Sequence, residues 1–321
     1  MTFIANVIAR DGVALVADSL VTTQSPVLSL QTFRDYLQNK NKLAKGQKIT
    51  LDPVEVGQLF KNKPIYTRNY ENKLFEIDHF TGVMTAGAAE IFDKKIAQIV
   101  EEIAEKNKEL KSYTSMKTED KVRRFCRLIS REVKDHIKKY GRISTTKFIY
   151  THYDGKKKTS EVYEIEVKTA DNTVLTKKKY SFVTCRKTMD IQKVVFAGQN
   201  KIAESILFGN FFTSRDTVVK LIDKLTKDKK ITSISKKYTT NILMDPSVVE
   251  SGLNMNMANL HDLSLQEAVN LASLLMRVEL DFQKYTKDIP TVGGVIKLAV
   301  IDKDGFRYIH GHEIVKPSNI E

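Results

Sequence analysis

The stretch Thr2-Phe-Ile-Ala-Asn-Val-Ile-Ala-Arg-Asp-Gly-Val-Ala-Leu-Val-Ala-Asp18-Ser19 decides how this chain is read. From Thr2 to Arg10, Phe3, Ala5, Val7 and Ala9 fall on one face of a strand and Ile4 and Ile8 on the other, because successive strand side chains alternate. Asp11-Gly12 supplies a turn, since glycine tolerates the positive φ of a tight hairpin. Val13 to Ala17 is a continuous apolar run that ends at Asp18-Ser19. A run of that kind belongs to a strand covered on both faces.

Outward from this hairpin, the pattern turns polar between about Thr23 and Tyr66, with Pro26, Pro53 and Pro64 as breakers. Its apolar residues are too scattered for a core of their own, so it reads as an insertion. Strands resume at Lys73 to Ile77 and Gly82 to Ala86. Phe92, Ile96, Ile99, Val100 and Ile103 then form one helical stripe, and Val122, Phe125, Cys126, Ile129, Val133, Ile137 and Tyr140 a second, stopping near Gly141. Strands follow at Lys147–His152, Glu161–Lys168, Thr173–Thr184 and Lys193–Ala197, with Asp154-Gly155 and Asp171-Asn172 as turns. Ile202–Phe212 and Asp216–Leu225 read as helices, and the segment from about 228 to 260 as a second insertion. Ser264-Leu-Gln-Glu267 has the spacing of a capping box opening a long helix. A last hairpin runs from Gly294 to His310 around Asp302-Lys-Asp-Gly305. This order differs from a regular βαβ alternation. It predicts an α+β fold, a four-layer αββα sandwich of two stacked, mainly antiparallel sheets flanked by helices, with residues 1–321 forming one domain.

Composition narrows the function classes. Lys and Arg total 52 against 39 Asp and Glu, a net charge of +13. The lysine clusters at 156–158, 177–179, 227–230 and 236–237 fall in turns and strand ends, so solvated loops are favoured over a nucleic-acid face. No apolar run approaches the roughly 18 residues of a membrane span, and the first ten residues do not have the charge order of a signal peptide. Cys126 and Cys185, far apart in sequence and without metal-ligand spacing, suggest a cytoplasmic protein. His310-Gly-His312 finds no third ligand in paired spacing, Asp302 to Gly305 does not continue as a calcium loop, and no phosphate-binding glycine motif occurs. No cofactor and no metal are expected.

The chemistry starts at Thr2. Removal of Met1, favoured by the small second residue, gives a threonine with both a hydroxyl and a free α-amine. That amine has an unperturbed pKa of about 7.7–8.0. It can take the proton of its own hydroxyl, which makes Thr2 a nucleophile with a built-in base.

The segment from Thr2 to Asp18 resembles the opening of mature proteasome β subunits, which also start a first strand with threonine, turn at glycine and end a second strand with Ala-Asp-Ser. The register matches without a gap over 18 − 2 = 16 positions. Asn72-Lys73-Leu74-Phe75-Glu76-Ile77 resembles that family's lysine-bearing third strand, and Ala86-Gly87-Ala88-Ala89 its turn into the first long helix, again in register over 87 − 73 = 14 positions. Val194-Val-Phe-Ala-Gly198 and Gly293-Gly294 also match the family layout.

The resemblance implies Thr2 as nucleophile, Lys73 as the charge beside its hydroxyl, Asp18 as the partner of Lys73, and the Gly87 N–H as oxyanion donor. Val21, Thr85, Ala89 and Asp93 would line the pocket for the residue before the scissile bond, with Asp93 favouring basic side chains. The sequence departs from the family at Gln199, where a serine is usual, and at Asp288-Ile-Pro-Thr-Val-Gly-Gly, which carries one extra residue. Asp288 and Thr291 are candidates for the auxiliary carboxylate and hydroxyl. The implied activity is a threonine endopeptidase acting on peptides or unfolded proteins, inside a homo-oligomeric ring that a separate ATPase unfoldase could feed. Two alternatives share the fold: an amidohydrolase acting on a small amide, and a non-catalytic scaffold subunit.

Overall fold

The computed structural model describes residues 2–40, 51–68, 71–141, 143–168, 183–188, 193–208, 260, 262–285 and 291–309. In chain order the strands are β1 (Phe3–Ile8), β2 (Gly12–Ala17), β3 (Val21–Val27), β4 (Lys61–Arg68), β5 (Leu74–Asp78), β6 (Thr81–Ala86), β7 (Glu90–Ile91), β8 (Lys94–Lys95), β9 (Thr146–Asp154), β10 (Thr159–Val167), β11 (Val183–Lys187), β12 (Val194–Gly198), β13 (Lys297–Asp302) and β14 (Gly305–Tyr308). The helices are α1 (Leu30–Lys40), α2 (Pro53–Gln58), α3 (Ile96–Lys108), α4 (Thr118–Tyr140), α5 (Lys201–Phe208) and α6 (Leu265–Gln283).

Among the described residues, two five-stranded sheets carry the fold, one in the order β12-β1-β2-β13-β14 and the other β11-β10-β9-β6-β5, with every pairing antiparallel. The alternation of β1 sorts its side chains as the sequence implies. Phe3, Ala5, Val7 and Ala9 pack with Ala268, Ala272 and Leu275 of α6. Ile4 turns the other way and meets Leu74, Met84 and Ile149 of the second sheet. β2, buried at all six positions, is covered on both faces. On the outer face of the second sheet, Ile99 and Ile103 of α3 and Phe125, Ile129 and Val133 of α4 pack on Phe75, Phe148 and Ile165. The layers are therefore α5/α6, first sheet, second sheet and α3/α4, an αββα sandwich. Burying one such aliphatic side chain contributes about 1.5–3 kcal/mol.

Local chemistry sets the element ends. Ser264 accepts the Glu267 N–H, while the Glu267 carboxylate accepts the Ser264 N–H at 2.7 Å, which closes the capping box of α6. Gly141 ends α4 in the left-handed conformation.

Two expectations change. Phe92 is not part of α3: it and Asp93 form the two-residue turn of the β7–β8 hairpin, with φ of 50° and 60°. An apolar residue one turn ahead of Ile96 extends a helical stripe in sequence although the backbone there reverses. The polar stretch 23–66 is also more regular than its pattern implies. Its β3 and β4 pair as a two-stranded ribbon, shifted in register between Thr23 and Gln24, with α1 and α2 between them. The expected helix at 216–225, the end of that at 202–212, the turn at 171–172, most of the strand at 173–184, the second insertion up to residue 259, Asp288, His310 and His312 lie outside the described residues. Among the described residues, no helix is long and apolar enough to cross a membrane, and no group of three or more His, Cys, Asp or Glu could hold a metal ion.

Candidate active site

Thr2, Asp18 and Lys73 come from three separate places along the chain and meet because β1, β2 and β5 converge. Thr2 precedes β1, Asp18 follows β2, and Lys73 precedes β5. Thr2 is 3% exposed, Asp18 1% and Lys73 7%. The Lys73 Nζ lies 2.6 Å from Thr2 Oγ1, 3.0 Å from Asp18 Oδ1 and 2.6 Å from the Leu20 carbonyl oxygen. Asp18 is held in turn: Oδ1 accepts the Phe3 N–H at 3.2 Å and Oδ2 the Gly293 N–H at 3.1 Å. Lys73 itself is anchored by its backbone, its carbonyl accepting the Thr85 N–H at 3.0 Å.

Burial pulls the Lys73 ammonium below the usual lysine value, partly offset by the charge of Asp18. Burial also pushes the Asp18 carboxyl up, and the charge of Lys73 offsets part of that. A charged ammonium has three N–H donors, and here it has three acceptors. A neutral amine would keep two N–H donors for Asp18 and Leu20 and turn its lone pair to the Thr2 hydroxyl. The same three contacts therefore serve both protonation states, and only the Thr2–Lys73 bond reverses direction.

Backbone contacts fix the rest of Thr2. Its carbonyl accepts the Gln199 N–H at 2.6 Å. Gly198, at φ 95°, leaves no room for a side chain, because a Cβ there would overlap the Thr2 carbonyl oxygen. Gln199 and Thr291, the two departures from the resembled pattern, meet each other: the Thr291 hydroxyl donates to Gln199 Oε1. The Gln283 side chain on α6 accepts the N–H groups of Thr291 at 2.7 Å and Val292 at 3.0 Å, one residue before the glycine that binds Asp18. Nothing local in the sequence marks Gln283 for this part, since its partners lie beyond the helix it ends.

Thr2 and Lys73 open onto a cavity of about 1130 Å³ that is also lined by Val21, Thr85, Gly87 and Ala89. Gly87 closes β6 at φ 123°, where a Cβ would run into the backbone of Thr145 and Thr146. Its neighbour Ala88 donates its N–H to Thr146 Oγ1 at 3.2 Å. Asp93 is not among the residues lining this cavity. It is exposed, and its carboxylate binds Lys139 at 2.6 Å and the Tyr140 hydroxyl. These hydrogen bonds, that of Lys139 first, hold its carboxyl below the ordinary value. The cavity wall also includes Pro26, Gly57 and Phe60 of the 23–66 segment and His136 and Tyr140 of α4. The sequence carries no local signal for these five, because each reaches the cavity only through the tertiary fold.

No family model matches the sequence, and no curated protein matches it. Among solved structures, the chain is similar to a Gly-1 mutant of Anbu from Hyphomicrobium sp. strain MC1, over 98% of this chain and 87% of that one, at 11% identity and a TM-score of 0.46. A likeness at that score carries no argument, and the functional reading stands on the residues of this chain.

Proposed function

We propose that the chain is a hydrolase of the N-terminal-nucleophile type, a threonine peptidase in which Thr2, freed of Met1, attacks a peptide carbonyl. The observation that carries the proposal is the Lys73 ammonium nitrogen placed between Thr2 Oγ1 and Asp18 Oδ1 at the edge of a large cavity. In this reading the Thr2 hydroxyl proton passes to the α-amine of Thr2 or to neutral Lys73 as Oγ1 adds to the carbonyl carbon. The Gly87 N–H holds the oxyanion. Collapse breaks the C–N bond, the amine leaves with the proton, and water then hydrolyses the threonyl ester with the α-amine as base.

Asp18 keeps Lys73 in place and balances its charge. Val21, Thr85 and Ala89 shape the pocket beside the scissile bond. Assembly as a homo-oligomeric ring supplied by a separate ATPase unfoldase completes the proposal for peptides and unfolded proteins.

One observation favours a small amide as substrate instead. Pro26, Gly57 and Phe60 wall the same cavity as Thr2, so the 23–66 segment forms part of its boundary.

A series of fluorogenic amides of increasing length tests both readings. We expect hydrolysis of peptides by the wild-type chain and a loss of about 10³-fold or more in Thr2→Ala, with the circular dichroism spectrum unchanged. Turnover confined to the shortest amides would favour the second reading. Wild-type rates in Thr2→Ala would end both.

A further inference from the structure

The chain has two cysteines, 185 − 126 = 59 positions apart. The fold brings them to one interface. On α4, Val122, Phe125 and Ile129 are buried against the second sheet. Cys126 is one turn beyond Val122 and packs on the same core, half-buried. Among the described residues, β11 is the edge strand of that sheet and pairs with β10, Ile165 opposite Cys185. Val183 and Ile165 both belong to the core beneath α4. Strand side chains two positions apart share a face, so Cys185 points to the side that α4 covers. α4 and β11 are in contact there, and Cys185 remains exposed to solvent.

The geometry points to a redox-modification site: we propose that Cys126 and Cys185 form a reversible intramolecular disulfide, with a low-molecular-weight disulfide such as oxidised glutathione as the oxidant. Two features assign the order of events. Hydrogen bonding to Cys126 would draw the Cys185 thiol down and hold the Cys126 proton on, and Cys185 is the more exposed of the two residues, so the accessible thiol is the one with the greater thiolate character. The Cys185 thiolate attacks one sulfur of the glutathione disulfide, forming a mixed disulfide and expelling one glutathione thiolate. Cys126 then loses its proton to solvent and attacks the Cys185 sulfur, expelling the second glutathione. The protein gives up two protons and two electrons, and glutathione disulfide is reduced to two thiols. The product ties β11 to the middle of α4, and a cross-link closing a long loop stabilises by restricting the unfolded chain.

The test is incubation of the full-length protein with oxidised glutathione under non-denaturing conditions, followed by intact mass, non-reducing peptide mapping and thermal melting. The expected result is a monomer lighter by two hydrogens, a Cys126–Cys185 linked peptide and a melting midpoint several degrees higher, all reversed by dithiothreitol. Cys126→Ala should instead accumulate a stable glutathione adduct on Cys185. Wild-type protein that keeps glutathione adducts without an internal cross-link, or links only between chains, would overturn the proposal. The wild-type peptide map decides the matter even if the Cys126 variant fails to fold. None of these readouts depends on Thr2, so failure here and failure of the peptidase reading are distinguishable.

Discussion

The paired sheets and the segment between β2 and β5 are built on different terms. In the sandwich, β1 and β2 are buried along nearly their whole length, and each face packs on a different layer. Between Val21 and Asn72 no described residue joins the buried apolar core, and Val27, Leu30, Leu51 and Phe60 stay exposed. Thr2, Asp18, Lys73 and Gly87 all hang from ends of sandwich strands, while the β3–β4 arm adds walls to the cavity. Burial is thus concentrated where distances of 2.6–3.0 Å between reacting groups have to be held. Part of the cavity wall falls to the arm, where no described residue joins the buried apolar core.

That contrast can be broken most severely at Lys73. Lys73→Ala should abolish hydrolysis and also strand the buried Asp18 carboxylate without its counter-charge. Removing one partner of a buried pair costs roughly 3–5 kcal/mol, which a urea titration of the variant against wild type would report. A variant as stable as wild type would show that the ion pair is solvated. Next in size is a paired truncation. Leu15, fully buried between the sheets, should lose about 2–5 kcal/mol on Leu15→Ala, whereas Phe60→Ala in the arm should stay within about 0.5 kcal/mol while changing the preference for amide length. Equal destabilisation by the two would mean that the arm is part of the cooperative core.

The smallest effect concerns pH. Burial, with help from the charge of Lys121, holds the His152 imidazole below its ordinary value of 6.5, next to the Thr81 hydroxyl at 2.8 Å. The unfolded chain then binds more protons at this site than the folded one. This contribution to stability is complete above pH 6.5 and is lost as the pH falls through the lower folded value. Replacing the residue (His152→Gln) should flatten the dependence of the urea midpoint on pH below 6.5; an unchanged slope would assign it to other groups.

How much of this was legible in the sequence follows from the range of the forces involved. The β1–β2 hairpin was readable because alternation and the Asp-Gly turn act over a few residues. The capping box of α6 was readable for the same reason. Asp18 and Lys73 drew notice through a gapless register, and the fold sets them 3.0 Å apart. The arm was opaque: its strands, VTTQSPV and KNKPIYTR, are mostly polar and carry no period that marks a half-buried strand. Phe92 mimicked a helical residue because side-chain type says nothing of its positive φ. The Gln199–Thr291 contact and the meeting of Cys126 with Cys185 are tertiary facts, spanning 92 and 59 positions. No local pattern encodes separations of that size.

The central claim is that Thr2 presents its hydroxyl and its own free amine to an electrophile. A peptide epoxyketone tests it directly, since ring-closing adduct formation consumes both groups on one residue. Intact mass and peptide mapping of the treated protein should find Met1 absent and a single adduct on Thr2, lost in Lys73→Ala. Retention of Met1, or labelling confined to another residue, would contradict the account.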